Sequence, residues 1–211
     1  MKPYDIVAEL EKKVAEYAGA DHCVAVDSCT NALLLCLKYV GCKGKTIELP
    51  AYTYVGVAYS VINAGGRCIF NYDKWEGAYE ISHDSWPFVI VDSARRFRKD
   101  MFLQDEHPYV DTLMCLSGHW GKHLKIGRGG FILTNDAEAA RVLRIMRFDG
   151  RKADTRPRDD NFVYPGHHCY MLPEEAARGL MLMSSIPDSN MDIPWDDYTD
   201  LNNFRIFKEF V

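Results

Sequence analysis

The segment Ser117-Gly-His-Trp-Gly-Lys122-His-Leu-Lys-Ile-Gly127-Arg-Gly129-Gly130 sets one lysine between the end of an apolar run and a glycine-rich turn. The run before it, Thr112-Leu-Met-Cys-Leu116, predicts a buried strand ending on Ser117, and Gly130-Phe-Ile-Leu-Thr134 predicts another. A lysine amine attacks an aldehyde only when neutral, and burial or a cationic neighbour lowers its pKa toward that state. A hydroxyl and backbone N–H groups beside it can hold a phosphate. An imine-forming lysine next to a phosphate seat is the pairing that pyridoxal 5′-phosphate (PLP) chemistry requires. A solvent-exposed turn lysine is the plainer reading of the same residues.

Strands and helices alternate on both sides of this segment. Ile6, Leu10, Val14 and Tyr17 recur three or four apart from Tyr4 to Tyr17, which predicts an amphipathic helix ended by Gly19. His22–Val26 reads as a buried strand, Asp27–Thr30 as a polar turn and Asn31–Val40 as a buried helix. Thr46–Leu49 predicts a strand closed by Pro50, Tyr54–Ala64 a helix stopped by Gly65-Gly66, and Arg67–Phe70 another strand. Phe88–Val91 continues the series and ends on Asp92. After Thr134, Asn135 is predicted to cap a helix from Asp136 to about Arg147, and Pro173 to open one that runs to about Met183. Residues 150–162, rich in Arg and Asp, read as a mobile loop. This order predicts an α/β fold, three-layered around a mostly parallel central sheet. Residues 1–185 read as one domain, and 186–211, with its aromatics in Phe204-Arg-Ile-Phe207, as an irregular tail with one short helix.

Composition narrows the function classes. The chain has 211 residues and a net charge of −5, so it carries no basic footprint for nucleic acid, and Arg95-Arg96-Phe97-Arg98-Lys99 is short and set among acids. Seven cysteines form an odd set with no Cys-x-x-Cys pair, which indicates neither a disulfide framework nor a zinc site. His167-His168-Cys169 has no fourth ligand at zinc spacing, so no metal is expected. No apolar run approaches the ~18 residues of a membrane helix, and the start lacks a signal-peptide core. A soluble cytoplasmic protein is the expectation.

Four polar positions follow strands, and in open α/β sheets ligands sit at the carboxyl ends of strands. Ser28-Cys29-Thr30 opens a helix and is either an ordinary N-cap or a phosphate seat. Asp92 is either a turn aspartate or a carboxylate for a pyridine nitrogen. Tyr54 is either a core aromatic or a ring that lies on a planar ligand. Ser117 and Lys122 make the fourth position. Lys125 competes as imine lysine, although the spacing from Ser117 and the following Gly-x-Gly-Gly favour Lys122. His119 and His123, which flank Lys122, read as surface loop histidines.

Taken in order, Asp27-Ser-Cys-Thr-Asn-Ala-Leu33, Leu49-Pro-Ala-Tyr-Thr-Tyr-Val55, Val91-Asp-Ser-Ala94, Ser117…Lys122-x-Leu-x-x-Gly-x-Gly-Gly130 and Gly166-His-His-Cys-Tyr-Met171 resemble the DegT-type sugar aminotransferases, fold-type I PLP enzymes acting on nucleotide-linked keto-sugars. The resemblance spans roughly residues 5–185. It implies that Lys122 forms the imine and shuttles the proton, that Asp92 pairs with the pyridinium nitrogen, and that Tyr54 stacks on the ring. It further implies that Cys29, Thr30 and Ser117 hold the phosphate. Arg95 stands where the family often has Gln or His near the ring's 3-hydroxyl. The Gly166–Met171 segment matches a loop that reaches into the neighbouring subunit's site, with His168 near the phosphate and Tyr170 where many relatives have Arg or Asn. A homodimer with shared sites is thereby implied.

Family members are usually longer. Against them this chain skips a strand–helix section between Asp73 and Phe88 and most of the small carboxy-terminal domain, which implies a compact variant with a more open substrate site. Residues 150–162 or the tail could help to cover it. The reaction implied is transfer of an amino group from an amino-acid donor, often glutamate or glutamine, to a nucleotide-linked keto-sugar. Two rival readings stand beside it: a PLP-dependent sugar dehydratase or epimerase of the same fold, and a catalytically silent binding protein. Dehydrating relatives often carry histidine in place of the imine lysine, so Lys122 favours amino transfer.

Overall fold

In the computed structural model, which describes residues 2, 4–103, 111–153, 155–194 and 198–209, one five-stranded sheet is buried between two layers of helices. The chain runs α1 (Asp5–Ala18), β1 (His22–Val26), α2 (Cys29–Tyr39), β2 (Thr46–Pro50), α3 (Val55–Asn63), β3 (Arg67–Asn71), β4 (Tyr79–Ile81), β5 (Phe88–Asp92), β6 (Asp111–Ser117), β7 (Gly130–Thr134), α4 (Ala137–Met146), α5 (Pro173–Met183) and α6 (Arg205–Lys208). The main sheet has the order β1-β7-β6-β5-β4, and β2 and β3 form a separate parallel pair.

Connection lengths explain the strand directions. Parallel neighbours need a crossover of a dozen or more residues, and antiparallel ones do not. Between β2 and β3 lie residues 51–66, enough for α3, and the pair is parallel. Residues 93–110 join β5 to β6, again parallel. Only residues 82–87 join β4 to β5, too few for a crossover, and that pair is antiparallel. β7 runs antiparallel to both β1 and β6. The α/β class follows from the sequence, and the sheet is mixed, with β1, β5 and β6 running one way and β7 and β4 the other. Between Asp73 and Phe88 the three-residue β4, which sequence periodicity was too short to reveal, is the only regular element among the described residues.

Alternation along the strands fills two cores. Val24, Val26, Ile90, Leu113, Cys115 and Ile132 face α2 and α4, where Leu33, Leu37 and Leu143 meet them. Cys23, Ala25, Val89, Val91, Met114 and Leu133 face α1 and α5, where Leu10, Val14 and Ala176 meet them. Both faces of these strands are therefore apolar, as a sheet covered on both sides requires. α1 lies close on α5 because Gly179 has no side chain: a Cβ there would stand 2.6 Å from Leu10 Cδ2.

β1 is a sheet edge, and a buried ion cluster closes it. Glu11 of α1 accepts from Ala25 N at 2.9 Å and pairs with Arg147, and with Arg144 at 3.2 Å. Arg144 also donates to Cys23 O at 2.7 Å. These side chains occupy edge groups that would otherwise invite another strand.

Helix α4 corrects one expectation. Its N-cap is Asp136, whose carboxylate accepts from Ala139 N at 2.6 Å, while the Asn135 side chain instead accepts from Asp21 N at 2.9 Å. Adjacent Asn and Asp are equally good caps by type, and the contact with Asp21 decides between them. The tail is tied to the body. Leu201 and Phe207 are buried, Phe207 packs against Tyr59 and Phe70, and α6 supplies the expected short helix. No described helix is long and apolar enough to cross a membrane.

Candidate active site

The carboxyl ends of β5 and β6 and the amino end of α2 converge on a cavity of about 430 Å³. Seven of the eight residues singled out in the sequence line it: Cys29, Thr30, Tyr54, Asp92, Arg95, Ser117 and Lys122. Lys125 is exposed and does not line it.

Lys122 sits in the connection between β6 and β7. The base of that loop is pinched by Gly118 N donating to Gly129 O at 2.9 Å and Gly127 N donating to Gly118 O at 3.1 Å. Leu124 and Ile126 are buried beneath the loop and anchor it in the α1/α5 core. Lys122 N donates to His119 O at 2.9 Å, closing a tight turn before the lysine. The glycines serve geometry: Gly127 has φ +116°, a conformation that glycine adopts at little cost and other residues rarely adopt.

Gly130 places β7 against the start of α2. A Cβ there would lie 2.3 Å from Ser28 C and 2.5 Å from Cys29 N, so no side chain fits. Ser28 caps α2 by accepting from Asn31 N at 3.2 Å. Asp27 accepts from Asn31 Nδ2 at 2.7 Å and pairs with Arg128, bracing the helix start to the glycine-rich turn. The first N–H groups of an α-helix have no partner within the helix and its dipole favours an anion there. Ser28, Cys29 and Thr30 line the cavity at this point, with Ser117. Burial pushes the Cys29 thiol well above its ordinary range, and the Lys122 charge pulls it back in part. A neutral thiol is a poor nucleophile, so Cys29 acts here as wall rather than reagent.

Asp92 is 5% exposed. Its carboxylate accepts from Ala94 N and from the Tyr79 hydroxyl, each at 3.0 Å. Tyr79 is the cross-strand partner of Asp92, and its hydroxyl lies 2.6 Å from Thr53 Oγ1. With its proton given to the carboxylate, Tyr79 takes one from Thr53. Burial raises the Asp92 pKa above the usual carboxylate value; the two hydrogen bonds, then Lys122 and Arg95, draw it back.

Tyr54 is 54% exposed and lines the cavity. It rests over Gly56, where a Cβ would stand 2.7 Å from the ring and 2.8 Å from Thr30 Oγ1. Arg95 is buried at 5% and donates through Nε to the Tyr198 hydroxyl at 2.9 Å. His119, read from sequence as a surface residue, is exposed and lines the cavity as well. His123 is half-buried, 3.3 Å from Arg95 O, and burial lowers its pKa.

His168 stands apart from this cavity. Its Nδ1 lies 2.8 Å from Asp149 Oδ2, and its side chain is largely exposed. Tyr170 packs against Phe148 and Tyr4. Sequence reasoning missed Thr53, Tyr79, Trp75 and Tyr198. Thr53 lay inside a quoted motif and could have been found; Trp75 and Tyr198 belong to segments without periodicity. Among the described residues no cluster of three or more His, Cys, Asp or Glu could hold a metal ion.

The model of the DegT/DnrJ/EryC1/StrS aminotransferase family matches residues 1–85 and 88–191. The chain belongs to this family. A curated relative, the spore coat polysaccharide biosynthesis protein SpsC of Bacillus subtilis (strain 168), is 26% identical over 86% of this chain and 57% of its own length. The UDP-4-amino-4-deoxy-L-arabinose–oxoglutarate aminotransferase of Shewanella sediminis (strain HAW-EB3) is 24% identical over 81% of this chain and 54% of its own. Among solved structures, GDP-4-keto-6-deoxymannose-3-dehydratase with a trapped PLP-glutamate geminal diamine superposes with a TM-score of 0.65 at 18% identity, over 86% of this chain and 61% of that one. The chain thus spans a little over half the length of the curated relatives it matches, and PLP is the cofactor that the family implies.

The residues present suit that cofactor. A helix start braced for an anion, a buried carboxylate and a lysine border one cavity, and the glycine at position 130 lets β7 pack directly against the helix start.

Proposed function

We propose that this chain is a PLP-dependent aminotransferase that moves an amino group from an amino-acid donor to a nucleotide-linked keto-sugar. The observation that carries the proposal is the common cavity of Lys122, Asp92 and the start of α2. Bound there, PLP would supply an electron sink for cleavage of a bond beside the substrate nitrogen. Thr30, Cys29 and Ser117 would hold its phosphate by hydroxyl and backbone N–H groups, helped by the helix dipole. Asp92 would keep the ring nitrogen protonated, and Tyr54 would cover one ring face. Arg95 would face the ring's 3-hydroxyl. The Lys122 amine would anchor the cofactor aldehyde and then carry a proton to and from the substrate carbon. Over the full cycle the donor amino acid becomes a 2-oxo acid and the sugar carbonyl becomes an amine, so the amino group and both reducing electrons are conserved. His168 would serve the site of a second subunit in a homodimer.

The relatives support the aminotransferase reading by name, and the dehydratase neighbour keeps its rival in view. Lys122 in the cavity supports amino transfer. The test is spectroscopic. Purified protein with added PLP should show a visible absorbance band that Lys122→Ala abolishes, and glutamate should convert that band to the pyridoxamine form. Absence of any band overturns the proposal. A band that glutamate leaves unchanged identifies a silent binder, and a dehydrated product from a keto-sugar nucleotide identifies the rival enzyme.

A further inference from the structure

After α5 the chain returns to the mouth of the cavity and is tied on two sides of it. On one side Arg96 donates to the Asp192 carboxylate, at 2.6 Å from Nη2, and Ile193 N donates to Arg95 O at 2.9 Å. Asn190 Nδ2 donates to Phe97 O at 2.7 Å. On the other side Leu201 N donates to Ala51 O at 3.0 Å, and Tyr52 and Asp200 form an antiparallel bridge. The first side is the loop after β5, which carries Arg95; the second is the loop after β2, which leads to Tyr54. Ile193 and Tyr198, whose positions in sequence fall between these ties, line the cavity.

Tyr198 is in contact with three of the cavity's walls. Its hydroxyl receives Arg95 Nε at 2.9 Å, and the Arg95 guanidinium carbon lies 4.2 Å from its ring centre. Trp75 stacks on it at 6.2 Å and 26°, and Tyr54 lies 6.5 Å away at 45°. Trp75 is itself fixed, since its indole N–H donates to Tyr52 O at 3.0 Å. A guanidinium is a planar fork whose value in recognising an oxyanion depends on its orientation. A long side chain in a cavity loses that orientation unless something holds it.

We propose that Tyr198 is a positioning residue of this site: its hydroxyl and ring fix the Arg95 guanidinium to receive an anionic oxygen of the bound cofactor. The inference rests on the PLP reading above. The tail is then part of the binding machinery, and its two ties hold Tyr198 in place. Nothing in this role requires Tyr198 to touch the reacting atoms.

The experiment is a double-mutant cycle on PLP affinity, read by absorbance and by quenching of tryptophan fluorescence. Tyr198→Phe keeps the ring and loses the hydroxyl; a hydrogen bond to a charged group translates to about a tenfold weaker PLP affinity. Tyr198→Ala should weaken it further, with Phe a partial rescue. In an Arg95→Lys background the Tyr198→Phe effect should vanish, because the two residues act through one contact. Melting temperatures report folding separately, and the buried anchors Leu201 and Phe207 should keep them near wild type. Wild-type PLP binding together with unchanged affinity in both Tyr198 variants overturns this inference alone. So does an effect of Tyr198→Phe that adds fully to Arg95→Lys, or a fall in melting temperature without a fall in affinity. A wild-type protein that takes up no PLP overturns the reading of the site, and this inference with it.

Discussion

Gly130→Ala isolates the contact between β7 and α2. The added Cβ would stand 2.3 Å from Ser28 C, 2.5 Å from Cys29 N and 2.5 Å from Ser28 O. Ordinary van der Waals contact begins near 3.4 Å, so strand and helix must part by about 1 Å. All three atoms are backbone, and no side chain can swing aside. Overpacking costs about 1–3 kcal/mol, and rigid neighbours put this case at the upper end, about 3 kcal/mol. In a chain of this length each kcal/mol lowers the melting temperature by about 2–4 °C, so the expected fall is about 6–12 °C. The same movement displaces Ser28–Thr30 at the cavity, and a misplacement of about 1 Å costs catalysis on the order of 10²-fold. The control is Gly121→Ala, where a Cβ would meet only His119 Nδ1 at 3.6 Å; its stability should stay within about 0.5 kcal/mol of wild type. Thermal and urea unfolding measure the first effect, and PLP titration together with the amino-transfer rate the second. A Gly130→Ala protein as stable as the Gly121→Ala protein, with unchanged PLP affinity, would refute the claim that bare backbone contact fixes the helix start.

Three further outcomes follow from the packing and charge. Asp92→Asn should stabilise the cofactor-free protein while weakening PLP binding. Burial raises the Asp92 pKa, so the folded state holds the proton where the unfolded chain has released it. The wild type's stability therefore falls as pH rises from about 4 through that raised value, and the advantage of Asp92→Asn in urea midpoint should grow over the same interval and then level. Glu11→Ala should cost about 3–5 kcal/mol, because it leaves Arg144 and Arg147 against β1 without their carboxylate; unfolding in urea measures it. Leu124→Ala should cost about 2–5 kcal/mol as a cavity beneath the Lys122 loop, and should lower PLP affinity as well as stability.

Residues that a local rule governs were legible in the sequence. Ile6, Leu10 and Val14 announced α1 by their spacing, and Ser117, Asp92 and Lys122 announced themselves by following apolar strands. Cys29, Thr30, Tyr54, Asp92, Ser117 and Lys122 share one cavity because strand ends are where such a sheet opens, and Arg95, which only the family resemblance singled out, lines it too. What stayed hidden depends on contacts distant in sequence. Tyr79 matters because a three-residue strand pairs it with Asp92, and three residues carry no measurable period. Trp75 and Tyr198 matter because a loop and the tail come back over the site, a return set by ties such as Arg96–Asp192 across 96 positions. The expectation of Asn135 rather than Asp136 as the α4 cap fails for a different reason: the two are chemically interchangeable there until Asp21 claims one of them.

The cavity also has a polarity that narrows what it suits. At one part of its wall the sheet holds a carboxylate with 5% exposure, whose charged form burial disfavours. At another the fold braces a helix start, whose dipole favours negative charge, and forgoes a side chain at Gly130 to bring β7 against it. A ligand anionic at both ends would be repelled by Asp92, and one cationic at both ends would meet the wrong end of α2. A flat ring with a protonated nitrogen at one end and a phosphate at the other answers both, and would lower the cost of burying Asp92 by the same contact that binds it. Stability of the empty protein and affinity for the cofactor should therefore oppose each other at position 92 and move together at position 130. That contrast separates a site built around a dipolar ligand from a cleft that merely happens to contain a lysine.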